Sequence, residues 1–165
     1  MTPVLAILAA LLVPDAAGDA PVLWALRGQE SVHGSRPSGD HGASRGDWHV
    51  GRAYHEDGMW QRGREGLPTW TYEAAVTDPA KSIETIRAYW RRYERAAWCR
   101  VVWREARPGD VEALARVHQG GPSWRTTGGT RNRRHWAGVR AWLAVLPSPS
   151  AIPHPSDLAV GRTSP

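Results

Sequence analysis

Three residue types are absent or scarce in this sequence, and each scarcity excludes a class of protein. There is no phenylalanine, one cysteine (Cys99) and one lysine (Lys81) among 165 residues. A single cysteine cannot form an intramolecular disulfide framework or a cysteine-cluster zinc site. Arginine therefore supplies nearly all of the 21 basic residues, which outnumber 16 acidic ones and give a net charge of +5. That charge suits nucleic acid, an anionic cell wall or a membrane surface equally, so composition alone names no function.

Tryptophan, in contrast, is abundant, with ten residues accompanied by four tyrosines. Disordered chains are poor in aromatic residues, so a fully disordered protein is excluded. The length allows one domain with a tail and excludes a multidomain enzyme.

The N-terminal segment has the features of an export signal. Val4 to Val13 is an unbroken apolar run of ten residues, followed by small residues that include Gly18. Such a run is too short to span a bilayer but suits the core of a signal peptide. No basic residue precedes it, so a buried N-terminal helix is the alternative. We expect residues 1–20 to be a signal peptide cut near Gly18 or Ala20, and the protein to be secreted or periplasmic without stable membrane insertion.

The remaining sequence predicts a mostly helical body over 21–146 and a disordered proline-rich tail over 147–165. A short helix is expected over 22–31. Asp78 and Pro79 are a typical N-cap and first helical residue, and the apolar spacing after them extends to Ala97. Further helices are expected from Asp110 to the glycines at 120–121, and from near Thr130 to Pro147. Between Gly34 and Tyr54, frequent glycines and alternating residues indicate turns and a small hairpin.

Two acidic residues near this hairpin could perform chemistry. Glu30 follows the apolar face of the first predicted helix, where the negative helix end and apolar neighbours should raise the pKa of its carboxyl. A carboxyl that keeps its proton at neutral pH can serve as a general acid. Asp40 lies in a Gly-Asp turn that should keep it ionised. Such a contrasting pair suits glycoside hydrolysis, although solvated surface carboxylates are the simpler interpretation of these residues alone.

A resemblance gives these residues more weight. The chain resembles the lysozyme-like superfamily, and more narrowly the invertebrate-type (destabilase-like) lysozymes and their bacterial relatives, over about residues 22–146. Ala115–Pro122 (ARVHQGGP) is close to the family signature Ala-Arg-Ile-His-Asn-Gly-Gly-Pro. The other matching blocks are Ala25–Ser31, Gly39–Gly46, Arg52–Gly58 and Arg87–Tyr93. The resemblance implies an α+β, mostly helical lysozyme-like domain with a small β-hairpin beside an active-site cleft.

The resemblance also implies roles for individual residues. Glu30 matches the family's general acid, and Asp40 matches its second carboxylate after a small gap. Where the family hairpin reads Gly-Pro-Tyr-Gln-Ile, this chain has Gly46–Val50 (GDWHV), so that an imidazole replaces the substrate-facing amide. The predicted substrate-binding residues are Ser44, Trp48, His49, Tyr54, His118 and Gln119.

Some of these residues have a second interpretation. His118 either lines the cleft or packs at the end of an apolar helix. Trp48 and Trp60 either stack on sugar rings or belong to the core. The run from Arg131 to Arg134 is either a solvated helix start or a holder of an anionic polymer.

Together these features predict a muramidase that cleaves the β-1,4 glycosidic bond of peptidoglycan, with Glu30 as proton donor and Asp40 as nucleophile or cation stabiliser. A lytic transglycosylase with Glu30 as its sole acid and base, or a non-catalytic cell-wall glycan-binding protein, are the alternatives. We expect a monomer that binds peptidoglycan or a related amino-sugar polymer. No metal, organic cofactor or nucleic acid is expected.

Overall fold

A computed structural model describes residues 16–36, 38–107, 109–127 and 129–146. The apolar run and the proline-rich tail lie outside these residues. The described part is an α+β fold, mostly helical, with eight α-helices and one small antiparallel sheet. The helices are α1 (Ala20–Ser31), α2 (Arg52–Arg64), α3 (Tyr72–Thr77), α4 (Pro79–Tyr93), α5 (Arg95–Val102), α6 (Asp110–Gly120), α7 (Trp124–Thr127) and α8 (Thr130–Ala144). No helix among the described residues is long and apolar enough to cross a membrane.

The predicted cap of the long helix α4 is confirmed, but its predicted extent is wrong. The Asp78 carboxylate accepts hydrogen bonds from the N–H groups of Ala80 and Lys81, which start the helix. The helix ends at Tyr93, and Ala97 lies in the separate helix α5. Glu94 separates the two helices because its backbone leaves the helical conformation.

Helix α2 begins at Arg52, inside the stretch that the sequence predicts as turns up to Tyr54. Its buried positions are His55, Gly58 and Arg62. Since none of these is a large apolar residue, the helix shows no hydrophobic period in the sequence.

The predicted small hairpin is a three-stranded sheet in the order β1-β2-β3. The strands are β1 (Ser38–Gly39), β2 (Ser44–Arg45) and β3 (Val50–Gly51). Ser38 pairs with Arg45, and Arg45 with Val50. The extra strand arises because the chain turns back again after β2.

The core lies between α1, α4 and α6 and includes indole rings at its centre. Trp90 is fully buried, and its Nε1–H donates to the Leu114 carbonyl at 3.1 Å. Helices α1 and α8 pack closely beside this core. A Cβ at Gly28 would lie 2.6 Å from Trp142 Cδ2, so only glycine allows this approach.

The segment before α1 is fixed to the core by a buried ion pair. Asp19 is 0% exposed, and its carboxylate accepts two hydrogen bonds from Arg87 of α4, at 2.8 and 2.9 Å. The neighbouring Gly18 lies so close to α5 that a Cβ would meet the Val102 carbonyl oxygen at 2.3 Å. Gly18 and Asp19 therefore belong to the folded body.

Candidate functional site

One cavity of about 450 Å³ collects most of the predicted site residues. Its size falls within the range of ligand pockets, about 300 to 1,000 Å³. Among the described residues it is lined by Gln29, Glu30, Ser44, His49, His118, Gln119, Arg131, Arg134 and His135. Glu30 is the only acidic residue of this set. Five predicted residues thus share one pocket, although they come from α1, α6 and the sheet region.

Local structure around Ser31 places Glu30 at the rim of this pocket. Helix α1 ends at Ser31, and Val32 takes a left-handed conformation with φ of 50° that turns the chain away. The Ser31 hydroxyl donates to the Arg27 carbonyl and accepts from the N–H of Gly34. These bonds fix the end of the helix, and so they fix the backbone position from which the Glu30 side chain extends into the pocket.

The loop that carries His49 is tied to the same helix. Asp47 is nearly buried, and its carboxylate accepts a hydrogen bond from Arg27 Nε at 2.9 Å. Gly39 of β1 leaves room for the imidazole, because a Cβ there would lie 2.6 Å from His49 Nδ1. The ion pair therefore helps to position residue 49.

Three imidazoles surround the Glu30 carboxylate, whose side chain is 15% exposed. His135 Nε2 lies 2.6 Å from Oε1, His49 Nδ1 lies 3.3 Å from Oε2, and His118 Nε2 lies 3.8 Å from Oε1. These residues come from α8, the loop before β3 and α6. Tertiary structure, rather than local sequence, creates this cluster.

The structure reverses the predicted direction of the Glu30 pKa. Burial alone would raise the pKa of the carboxyl, but hydrogen bonds with His135 and His49 outweigh it and hold the pKa well below its usual range. The sequence indicates a helix end and apolar neighbours for Glu30, whereas its neighbours in the structure are imidazoles. Glu30 is therefore ionised in the resting site.

Hydrogen bonding assigns a neutral tautomer to His118. Its Nε2–H donates to the Trp48 carbonyl at 3.2 Å, and its Nδ1 accepts from the Tyr54 hydroxyl at 3.0 Å. Burial lowers the pKa of His118 to about 4. At neutral pH this imidazole is uncharged and positions its neighbours through hydrogen bonds.

The contacts of His49 turn its ring toward Glu30. The Arg36 carbonyl can only accept, so His49 Nε2–H donates to it at 2.8 Å. His49 Nδ1 then faces Glu30 Oε2 at 3.3 Å. A proton on Nδ1 would make a charge-assisted hydrogen bond to the ionised carboxylate.

His135 supplies the shortest contact to Glu30, and the sequence argument did not identify it. Its Nε2–H donates to Oε1, whereas its buried Nδ1 has no hydrogen-bond partner among the described atoms. No local motif marks His135, and only the packing of α8 against α1 reveals its role.

Two predicted substrate contacts need correction. Trp48 is 1% exposed, and its Nε1–H donates to the Leu23 carbonyl, so it is a core residue. Tyr54 does not line the pocket; its ring stacks on Tyr89 with centroids 3.7 Å apart, and its hydroxyl supports His118. Both residues therefore act behind the pocket wall because neighbouring helices cover them.

The remaining predicted residues have different outcomes. Ser44 and Gln119 line the pocket. The backbone of Asp40 begins a short 3₁₀ turn after β1, and its side chain lies outside the described part of the structure. The predicted role of Asp40 therefore stays a prediction.

Within the described ranges, no group of three or more His, Cys, Asp or Glu side chains has the arrangement of a metal site. Comparison of the chain with protein-family models, curated proteins and solved structures gives no match.

Proposed function

We propose that this chain is a lysozyme-like glycosidase, a muramidase that cleaves β-1,4 bonds of peptidoglycan with Glu30 as the proton donor. The observation that carries the proposal is the environment of Glu30. It is the one acidic side chain among the described pocket residues, and His49 Nδ1 lies 3.3 Å from its Oε2. The resemblance of the sequence to lysozyme-like proteins supports the same residue. Secretion into the periplasm or medium would bring the protein to this substrate.

A proton on His49 Nδ1 gives the ionised site a route to acid catalysis. This proton moves from His49 Nδ1 to the Glu30 carboxylate, which becomes a neutral acid. Glu30 then donates it to the glycosidic oxygen as the C–O bond breaks, and the bonding electrons leave with that oxygen. The hydrogen bond from His135 to Glu30 Oε1 is kept throughout this transfer. The step leaves neutral His49, ionised Glu30 and an oxocarbenium-like sugar.

Two fates of the sugar cation define the hydrolase and its closest alternative. In hydrolysis, Asp40 stabilises or attacks the cation, and water completes the reaction. In a lytic transglycosylase, Glu30 removes a proton from a hydroxyl of the same sugar. The hydroxyl oxygen then attacks the cation and closes an anhydro ring. Both candidates use Glu30, the acidic residue among the described residues that line the pocket.

Digestion of purified peptidoglycan tests the proposal. We expect Glu30→Gln to lower the rate of soluble product release by about 10²- to 10⁴-fold, because the amide has the shape of the carboxyl but cannot donate its proton. Glu56→Gln, a change at an exposed acid of α2, is the matched control and should keep wild-type activity. Reducing ends among the products identify a hydrolase, and anhydro ends identify a transglycosylase.

The outcomes separate catalysis from binding. Equal rates for wild type and Glu30→Gln would refute Glu30 as the donor. If wild type and variant both bind the wall without releasing products, the chain is a non-catalytic glycan-binding protein. Asp40→Asn should reduce hydrolysis nearly as strongly as Glu30→Gln, and much less in a transglycosylase.

A further inference from the structure

A chain of hydrogen bonds between α6 and α8 fixes the orientation of the Gln119 amide. The side chain of Asn132 in α8 is buried and lies between Arg116 and Gln119 of α6. A guanidinium can only donate, so Asn132 Oδ1 is the atom that faces Arg116 Nε, at 2.6 Å. Asn132 Nδ2 then donates to the Arg116 carbonyl at 2.9 Å and to Gln119 Oε1 at 3.3 Å. The Gln119 oxygen is therefore occupied, and its Nε2 group is left as a donor.

Two further contacts hold this arrangement in place. Arg116 Nη1 donates to the Glu112 carboxylate at 2.9 Å, one turn earlier in α6. A Cβ at Gly120 would collide with Asn132 Nδ2, so a glycine after Gln119 is needed for Asn132 to approach. The fold itself, rather than a ligand, thus sets the orientation of the Gln119 amide.

The oriented amide belongs to the pocket that contains Glu30. Gln119 lines this pocket and is partly exposed. Its Nε2 group has no hydrogen-bond partner among the described residues, whereas its Oε1 is held by Asn132. A ligand in the pocket therefore meets two N–H donors at this position and no free acceptor from Gln119.

We propose that Gln119 Nε2 donates a hydrogen bond to the carbonyl oxygen of an acetamido group on the bound glycan, and that Asn132 is the positioning residue for this contact. The inference rests on the proposed function in taking the ligand to be an amino-sugar polymer. A sugar hydroxyl can donate or accept, so either orientation of an amide would serve it. A carbonyl oxygen can only accept, so it requires the orientation that Asn132 imposes. The acetamido carbonyl is a neutral group of this kind that every sugar of an N-acetylated polymer carries.

Calorimetric binding of two neutral oligosaccharides tests this subsite without requiring cleavage. Chitohexaose and cellohexaose have the same β-1,4-linked backbone and differ in carrying acetamido or hydroxyl groups at C2. Each is titrated into the Glu30→Gln protein, which lacks the proposed proton donor. We expect chitohexaose to bind at least about 3- to 10-fold more tightly, which is the effect of one hydrogen bond between neutral groups.

Substitutions of Gln119 in the same background show whether this residue provides the preference. Gln119→Met removes the donor at similar size, and should lower the affinity for chitohexaose about 3- to 10-fold without changing that for cellohexaose. Gln119→Glu keeps an oxygen for Asn132 but puts a second oxygen in place of the donor, and should also abolish the preference. Arg133→Gln is the matched control, because it lowers the net charge by the same amount at an exposed position outside the pocket, and should keep the preference.

Asn132→Asp tests the positioning role separately. Its carboxylate still accepts from Arg116 but cannot donate to Gln119, so the Gln119 amide should turn its oxygen toward the ligand. We expect the affinity for chitohexaose to fall about 3- to 10-fold in the presence of Gln119, and to fall no further in the Gln119→Met protein. An equal fall in both proteins would indicate a merely structural role and refute the positioning role. If Asn132→Asp does not fold, the Gln119 variants still test the subsite.

Three results would overturn the acetamido subsite. They are equal binding of the two oligosaccharides by the Glu30→Gln protein, binding of neither, and a preference that Gln119→Met leaves unchanged. Failure of the proposed enzymatic function is a separate outcome. A protein that releases no products from peptidoglycan can still show a preference that depends on Gln119, and an active enzyme can lack it.

Discussion

Acidification should destabilise the fold through His118, before Glu30 contributes. The imidazole is buried among Tyr54, Trp48 and Glu30, and its pKa is lowered from 6.5 to about 4. Between these two pH values the unfolded chain binds a proton at this residue and the folded chain does not. The free energy of unfolding therefore falls as pH falls through this window, and is fully retained above about pH 6.5.

The magnitude follows from the difference in pKa between the two states. A difference of about 2.5 units, at about 1.4 kcal/mol per unit, corresponds to about 3 kcal/mol over the whole window. The lowered pKa of Glu30 reduces stability only below its ordinary value of 4.5, so measurements between pH 7 and 4.5 exclude most of the Glu30 contribution. About 2 to 3 kcal/mol of the His118 contribution lies in that range.

Urea unfolding followed by tryptophan fluorescence measures this effect at several pH values. His33 and His55 also have lowered pKa values, so wild type must be compared with His118→Gln. The variant is expected to show a shallower dependence on pH, by about 2 to 3 kcal/mol between pH 7 and 4.5. His41→Gln changes an exposed imidazole and should keep the wild-type slope. Parallel slopes for wild type and His118→Gln would refute the reasoning.

Three further changes test other parts of the structure. His49→Gln should slow peptidoglycan cleavage at least about tenfold and alter its pH–rate profile, since it removes the imidazole that passes a proton to the catalytic carboxyl in the proposed mechanism; an unchanged profile counts against this transfer. Gly28→Ala should lower the free energy of unfolding in urea by about 1 to 3 kcal/mol, because its Cβ would lie 2.6 Å from Trp142; a variant as stable as wild type contradicts this. Asp19→Ala should cost about 3 to 5 kcal/mol by leaving Arg87 without its buried partner, and a loss below about 1 kcal/mol in the same assay would show that the pair is unimportant.

Sequence reasoning predicted the elements that depend on local signals. The caps and apolar spacing locate α4 and α6, because a carboxylate cap, a first-turn proline and terminal glycines act within a few residues. Helix α2 was not predicted, because its buried face contains His55, Gly58 and Arg62 and therefore shows no hydrophobic periodicity in the sequence. The early end of α4 was not predicted. The Glu94 carboxylate there accepts hydrogen bonds from Trp124 and Arg125, which lie about 30 residues further along the chain.

The sequence identified several residues of the candidate site, but it did not predict the ionisation state of Glu30. Glu30, His49 and His118 could be identified one by one, because the resemblance assigns each a role. The state of Glu30 depends on His135, which is 105 residues away in the sequence and 2.6 Å away in space. Trp48 shows the opposite error: it lies in the predicted hairpin segment Gly46–Val50, but its indole turns inward and its N–H donates to the Leu23 carbonyl.

The buried ion pair at the start of the fold bears on how an exported chain would mature. A signal-peptide cut after Ala20 would discard Asp19, and Arg87 would lose this buried carboxylate while keeping its ion pair with Glu84 at 2.8 Å. A cut before Gly18 keeps the pair and the glycine that fits against α5. In an exported protein of this structure, the position of the cut would therefore decide whether Arg87 keeps Asp19 as its buried partner.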